Sequence, residues 1–361
     1  MAGRTGCDWR AGTAQARATL RRRVRSLVGI AAGWVLMLGA PLATAQSVPN
    51  LEYAQVGGTS LRLDLYLPEG VTTPVPAVLW IHGGGWCSGA RAPLAAYAAA
   101  LPAQGIAVAA VSYRLTSTTP DCANGSGATW PAPIHDLKGA VRWLRANAAS
   151  YGLDPARIAV WGQSAGAHLA ATLAFSNGDP ALEGTVGGNL DRSSAVLALV
   201  AYYPPTDLLQ LGPDFALAPP GLPAAVPIVD GPGQPHARLL GFGAAGEGLG
   251  VIRANATNPM PPWPALLARA LGASPVTWAG PGDPPVFLLH GTSDTTVPIN
   301  QARRLRDALL AAGVPLDYRE IAGLAHVPPD ATQNAAARAW IAARLAAGGS
   351  VDALFAHGFE P

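Results

Sequence analysis

Gly162-Gln163-Ser164-Ala165-Gly166 closes the apolar run Arg157-Ile158-Ala159-Val160-Trp161 and opens the small-residue stretch Ala167-His168-Leu169-Ala170-Ala171. A chain that turns this sharply from strand into helix needs glycine on both sides, where a Cβ would collide. It then holds the intervening serine out at the helix N-terminus. The pattern G-x-S-x-G is short enough to arise by chance, so its reading here rests on three further segments.

His82-Gly83-Gly84-Gly85-Trp86 follows the run Val75 to Ile81, and glycines there leave backbone N–H groups unobstructed, as an oxyanion hole requires. Asp294 lies in His290-Gly291-Thr292-Ser293-Asp294 after the run Pro285 to Leu289. His326 lies in Gly323-Leu324-Ala325-His326 after the alternating stretch Leu316 to Ile321. Serine is a poor nucleophile unless a base takes its proton and a carboxylate holds that base. Ser164, His326 and Asp294 are therefore the candidate catalytic set, with the backbone of Gly83, Gly84 and Ala165 as oxyanion donors and Trp86 as a wall of the substrate pocket. Asp207, in Pro204-Pro205-Thr206-Asp207, is the competing acid and reads as a helix cap or loop anchor. His168 reads as packing and His82 as ordering the glycine loop. Trp130, Trp263 and Trp278 read as core before they read as substrate contacts, and Asp136 is expected to pair with Arg114.

The chain order Ser, Asp, His resembles that of the α/β-hydrolases. Tyr113-Arg114-Leu115, Pro133-Ile134-His135-Asp136-Leu137-Lys138 through Trp143-Leu144, and Asp154-Pro155-Ala156-Arg157-Ile158 make the likeness more specific, to bacterial carboxylesterases. The chain most resembles their BD-FAE-like, feruloyl-esterase-like branch, related to the hormone-sensitive-lipase family. Ala273-Ser274-Pro275 extends the match, which runs roughly from Leu51 to Leu345. Ala167 departs from it, standing where such proteins often carry glycine. The resemblance implies a serine esterase acting through an acyl-enzyme on short-chain acyl or aryl, feruloyl-type esters, small or polymer-linked. Arylformamidase or serine peptidase chemistry on the same fold, and a binding module that has lost catalysis, remain alternatives.

With 50% hydrophobic and 13% charged residues, the chain is rich in core and carries no nucleic-acid-binding signature. Residues 1–45 read as an export signal: an arginine-rich start, an apolar run from Leu27 to Ala40, and Ala43-Thr44-Ala45 as the cleavage site. Seven of the 24 Lys and Arg residues and one of the 22 acidic residues fall there, so the remainder is net −4 and the apparent basicity belongs to the signal. A periplasmic or secreted protein without stable membrane insertion is expected. The remaining cysteines, Cys87 and Cys122, are expected to form a disulfide at the carboxyl edge of the sheet. No C-x-x-C, H-E-x-x-H or P-loop is present, so neither metal nor cofactor is expected.

The remaining pattern alternates apolar strands with helical stretches. Strands are expected at 51–56, 61–67, 75–81, 106–113, 157–161, 196–202, 286–290 and 316–321, the first two antiparallel across Gly57-Gly58. Helices are expected at 93–103, 134–149, 165–175, 299–312 and 331–346. These make an eight-stranded, mostly parallel sheet in an α/β domain spanning 46–361. Seventeen of the 34 prolines fall between Pro204 and Pro285, which marks a cap-like insertion at about 206–284 with only Pro264 to Leu271 helical. The tail from Gly348 to Pro361 is expected to be loosely held.

Overall fold

The structure, a computed structural model, describes residues 46–348 apart from 71, 73, 117–124 and 218–228. The expected signal segment, Cys122 and nearly all of the expected tail lie outside the described residues.

One eight-stranded sheet organises the chain: β1 (Gln46–Val56), β2 (Thr59–Leu67), β3 (Val75–Ile81), β4 (Ala107–Val111), β5 (Leu153–Gln163), β6 (Leu199–Tyr202), β7 (Val286–Gly291) and β8 (Leu316–Ile321). Their spatial order is β1-β2-β4-β3-β5-β6-β7-β8. β2 pairs antiparallel with β1 and with β4, and all other pairings are parallel. Gly57 and Gly58 both take positive φ, 54° and 82°, the two-residue turn that suits the twist of a hairpin.

The central strands are buried on both faces, which is why they read as nearly continuous apolar runs. Leu79, Ile81, Val160 and Leu288 face one layer, covered by helices α2 (Ala132–Ala146), α3 (Ala165–Phe175) and α9 (Asn300–Ala311). Val78, Trp80, Trp161, Val200 and Phe287 face the other, covered by α1 (Ala96–Ala99) and α10 (Ala331–Ala347). The helix expected over 93–103 is only the short α1 followed by a 3-10 turn, Pro102–Gln104. Pro102 has no N–H to continue the ladder, and Gly105, at φ 78°, turns the chain into β4.

A further short helix, α4 (Pro180–Glu183), follows α3. Between β6 and β7 the insertion is more helical than expected. It holds α5 (Leu211–Ala216), α6 (Pro235–Leu239), α7 (Leu249–Ala254) and α8 (Trp263–Gly272), with 3-10 turns at Leu208–Gln210 and Pro275–Thr277. Pro235, Pro264 and Pro275 occupy first-turn positions, where a missing N–H costs nothing, so these prolines start helices rather than break them. Leu208, Leu211, Leu239, Leu249 and Leu266 are buried in the same cluster as α3.

Candidate active site

The parallel strands deliver their carboxyl ends to one edge of the sheet, where open α/β sheets place ligands. Ile81 and Gly162 are register partners there, so the loop after β3 and the turn after β5 emerge side by side. The turn is sterically fixed. A Cβ on Gly162 would lie 2.3 Å from Gly166 O, and one on Gly166 would lie 2.3 Å from Ile81 O and 2.4 Å from His82 O. Ser164 itself sits at φ 53°, ψ −126°, a strained conformation for a non-glycine residue. Its N–H donates to Tyr202 O at 2.9 Å, and its carbonyl accepts from His168 N in α3 at 3.0 Å.

Ser164 Oγ donates to His326 Nε2 at 2.9 Å, and His326 Nδ1 donates to Asp294 Oδ2 at 2.6 Å. The loops carrying acid and base are locked together. Ser293 N donates to Leu324 O at 3.0 Å, and Gly323 N to Thr292 Oγ1 at 2.9 Å. A Cβ on Gly291 would meet Leu324 O at 2.0 Å. Asp294 is 1% exposed. Its Oδ1 accepts from Thr296 N at 2.8 Å and Val297 N at 2.9 Å. Burial by itself would raise this carboxyl, but hydrogen bonds from His290 and His326 outweigh it and hold Asp294 well below the usual carboxylate range. Asp207 opens the 3-10 turn Leu208–Gln210 without a side-chain cap bond, and its carboxyl is raised, chiefly by burial.

The sequence singled out neither His290 nor the pair it makes. Its Nε2 lies 2.9 Å from Val297 O and 3.2 Å from Asp294 Oδ2, two acceptors, so that nitrogen carries the proton. The signal was a histidine four residues before the acid.

In the loop after β3, Gly83 packs on the nucleophile: a Cβ there would lie 3.0 Å from Gln163 O and 3.3 Å from Ser164 Cβ. Gly84 O accepts from Cys87 N at 3.1 Å and Ser88 N at 2.9 Å, making a tight turn. His82 orders this loop as expected. Its ring stacks on Tyr113 at 4.5 Å, and its Nδ1 donates to Gly83 O at 2.8 Å. Trp86 Nε1 donates to His168 Nδ1 at 3.1 Å, while His168 Nε2 donates to Ala273 O, so the buried His168 ties the glycine loop to the insertion. Burial pushes His82 and His168 down to about 4, with backbone hydrogen bonds opposing part of the shift.

A cavity of about 150 Å³ opens beside Ser164, with Gly85, Trp86, Ala165, Leu211, Pro235 and Val297 in its wall. Trp130, Trp263 and Trp278 do not line it. Trp130 is buried against His168, and Trp278 lines a larger cavity of about 500 Å³ at the opposite edge of the sheet. Of the expected loop glycines, Gly83 and Gly84 are absent from the wall, and Gly85 takes that place. The expected pairing of Asp136 with Arg114 is present and two-pronged, Arg114 Nη2 to Oδ1 at 2.6 Å and Nε to Oδ2 at 2.9 Å. Among the described residues no cluster of His, Cys, Asp and Glu is arranged to hold a metal ion, and no helix is long and apolar enough to cross a membrane.

Comparison with known proteins agrees with this architecture. Residues 63–221 match the BD-FAE family, and residues 278–353 match the secretory lipase family. Esterase LipQ of Mycobacterium tuberculosis is 32% identical over 279 residues, covering 75% of this chain and 55% of that protein. Carboxylesterase NlhH of the same organism is 40% identical over 121 residues, 33% of this chain and 34% of its own length. The chain spans about half the length of the mycobacterial esterases it matches along most of its own length. Among solved structures, a truncated carbohydrate esterase from gut microbiota superposes with a TM-score of 0.67 at 27% identity, covering 85% of this chain and 99% of that one. Esterase 2 of Thermogutta terrifontis, at 24% identity and a TM-score of 0.56, shares the fold over 88% of this chain and 94% of its own.

Proposed function

We propose that this chain, which belongs to the α/β-hydrolases and matches the BD-FAE family over residues 63–221, is a serine carboxylesterase working through an acyl-enzyme. One observation carries the reading: Ser164, His326 and Asp294 are joined by hydrogen bonds of 2.9 and 2.6 Å, and Ser164 lies in the wall of a cavity. His326 Nε2 takes the Ser164 hydroxyl proton as Oγ attacks the ester carbonyl. Asp294 holds the imidazole in the right tautomer and stabilises the imidazolium. The negative oxygen is received by the N–H groups of Gly83, Gly84 and Ala165, each such donor being worth about 10² to 10³ in turnover. Collapse breaks the ester C–O bond, and His326 returns the proton to the leaving alcohol. Water then repeats the sequence, giving the carboxylic acid and free Ser164.

The apolar wall of Trp86, Leu211, Pro235 and Val297 and its volume of about 150 Å³ support a short acyl chain. The likeness to a carbohydrate esterase supports a sugar-linked or other polymer-linked alcohol, with feruloyl-type acyl groups as the second class. The test is turnover of p-nitrophenyl acetate by wild type and by Ser164→Ala. The variant is expected to fold normally and lose several orders of magnitude, because a triad acts as a unit. Retention of more than about a tenth of the activity, 1.4 kcal/mol of barrier, sinks the mechanism. Parallel assays on peptides and N-formylkynurenine separate an esterase from a peptidase or arylformamidase.

Export with cleavage after Ala45 and a Cys87–Cys122 bridge belong to the same reading. Cys87 is buried directly after Trp86, so a bridge there would pin the oxyanion loop. An intact mass starting at Gln46 and no free thiol in denatured, unreduced protein are the expected results.

A further inference from the structure

Tyr203 follows β6 at φ 41°, in the left-handed region that a tyrosine occupies only where its surroundings impose it. Its ring is 3% exposed, with its centroid 4.6 Å from that of His326 and the ring planes at 61°. Its backbone N–H donates to Leu289 O of β7 at 2.7 Å, and its hydroxyl donates to Gln163 Oε1 at 3.2 Å. The same Gln163 oxygen accepts from the Tyr97 hydroxyl at 2.9 Å, and that hydroxyl oxygen accepts from Trp80 Nε1 at 3.2 Å. Gln163 is the residue before Ser164. One tyrosine therefore lies against the ring of the base while bonded to the neighbour of the nucleophile.

We infer that Tyr203 is a positioning residue, whose ring sets the tilt of the His326 imidazole toward Ser164 and whose hydroxyl, held on Gln163, ties that tilt to the nucleophile turn. The inference rests on Ser164 and His326 being the reacting pair. Hydrogen bonds at Nδ1 and Nε2 define an axis through the imidazole but leave the ring free to pivot about it. The Nε2 lone pair points off that axis, so a pivot misaims it from the Ser164 proton. A ring packed on the flank of the imidazole removes the pivot. Burial raises the Tyr203 phenol far above its ordinary range, so the hydroxyl keeps the proton it donates to Gln163.

The test is steady-state kinetics on p-nitrophenyl acetate with thermal melting as the check on folding. Tyr203→Leu is expected to lower kcat by roughly tenfold to a hundredfold with KM little changed, because misorientation acts on the reacting geometry rather than on binding. Tyr203→Phe restores the ring and is expected to recover most of kcat, leaving a loss of about two- to fivefold for the missing hydrogen bond. Gln163→Ala, which also frees the Tyr97 hydroxyl, is expected to show a small loss, and the Tyr203→Phe/Gln163→Ala pair no more than Gln163→Ala alone, since both cut the Tyr203–Gln163 tether. A merely structural tyrosine would lower the melting temperature without separating kcat from KM. A folded Tyr203→Leu with kcat within about twofold of wild type overturns the ring's role. If that variant does not fold, the Phe and Gln163 cycle decides: additive losses, or none, overturn the tether. Wild type without Ser164-dependent turnover fails the esterase reading instead, a result distinct from an active wild type indifferent to Tyr203.

Discussion

At the carboxyl edge of the sheet, Gly162, Gly166 and Gly291 lie directly against backbone, whereas the insertion between β6 and β7, besides the backbone bond from Trp130 N to Leu239 O at 2.7 Å, packs side chains into the core. A backbone contact at 2.0 to 2.4 Å from a notional Cβ admits only glycine, so the Ser164 turn is placed against the end of β3, and the Asp294 loop against the His326 loop, by sterics. The insertion instead packs Leu208, Leu211, Leu239 and Leu249 into the core, an arrangement that tolerates exchange of one apolar residue for another. On the proposed reading, mechanism and specificity would thus reside in parts built by different rules. On the proposed esterase mechanism, the edge would fix where protons move, and the insertion supplies much of the wall of the cavity beside Ser164.

The two candidate acids test that division most severely, because Asp294 belongs to the edge and Asp207 to the insertion. Asp294→Asn is expected to lower kcat by about 10⁴, the amide favouring the wrong imidazole tautomer while leaving the geometry intact. Asp207→Asn is expected to stay within a few-fold, since Asp294 is the carboxylate bonded to His326. Comparable losses from the two would mean that the insertion takes part in the chemistry.

Gly166→Ala probes the steric rule itself. The added methyl would sit 2.3 Å from Ile81 O and 2.4 Å from His82 O, both backbone atoms that cannot step aside. A loss of more than about 3 kcal/mol in urea unfolding is expected, the range of severe core disruption. Gly246→Ala in the insertion is the control, with open space around its Cβ position and only the strain of its φ of 83°. Equal losses would remove the contrast between the two regions.

Legibility in the sequence followed the same line. The strands and the nucleophile turn were readable because glycine and apolar runs are local signatures of steric and burial demands. Ser164, Asp294 and His326 could be picked out for the same reason, standing one, three and five residues beyond a strand end. Of the insertion's helices only the one expected at Pro264 to Leu271 was readable, since Pro235 and Pro275 look like breakers until their place in the first turn is known. Tyr203 was missed because its role depends on segments distant in the chain, whereas His290 was passed over although its partners, Asp294 and Val297, stand four and seven residues on. Nothing near Tyr203 in sequence announces that Gln163 and His326 lie against it. The cavity of about 500 Å³ was no guide either, lying at the edge away from Ser164.

Acid should strain both regions together, because each contains a buried imidazole. Burial lowers His82 and His168 at the edge and His236 in the insertion from 6.5 to about 4, with backbone hydrogen bonds opposing it. Above pH 6.5 both folded and unfolded states are neutral at these sites, so the full stability is present. As pH falls from 6.5 toward 4, the unfolded chain binds protons that the folded one refuses, and stability drops. The loss is complete once the folded histidines also protonate, at roughly 3 kcal/mol per imidazole as an upper bound. Urea unfolding at pH 7, 6 and 5 should show a steady decline. His236→Phe should reduce its slope by about one third if the three sites titrate independently. A flat profile over this window would mean that the imidazoles are not sealed from water.

The smallest effect expected is on acyl selectivity, and it is the sharpest test of where specificity resides. Leu211 is buried at the start of α5 and lines the cavity together with Trp86, so truncation there enlarges the pocket without altering Ser164, Asp294 or His326. Leu211→Ala is expected to raise the ratio of kcat/KM for p-nitrophenyl hexanoate over acetate by about tenfold, a methylene in an apolar pocket being worth roughly 1 to 3 kcal/mol. Acetate turnover should fall little, since its acyl group fits either pocket. The cavity opened by the change should also cost about 2 kcal/mol or more of stability, which unfolding reads separately from selectivity. An unchanged hexanoate-to-acetate ratio in a folded Leu211→Ala protein would place acyl recognition on Trp86 and the loop after β3, and the division between a catalytic edge and a selective insertion would not hold.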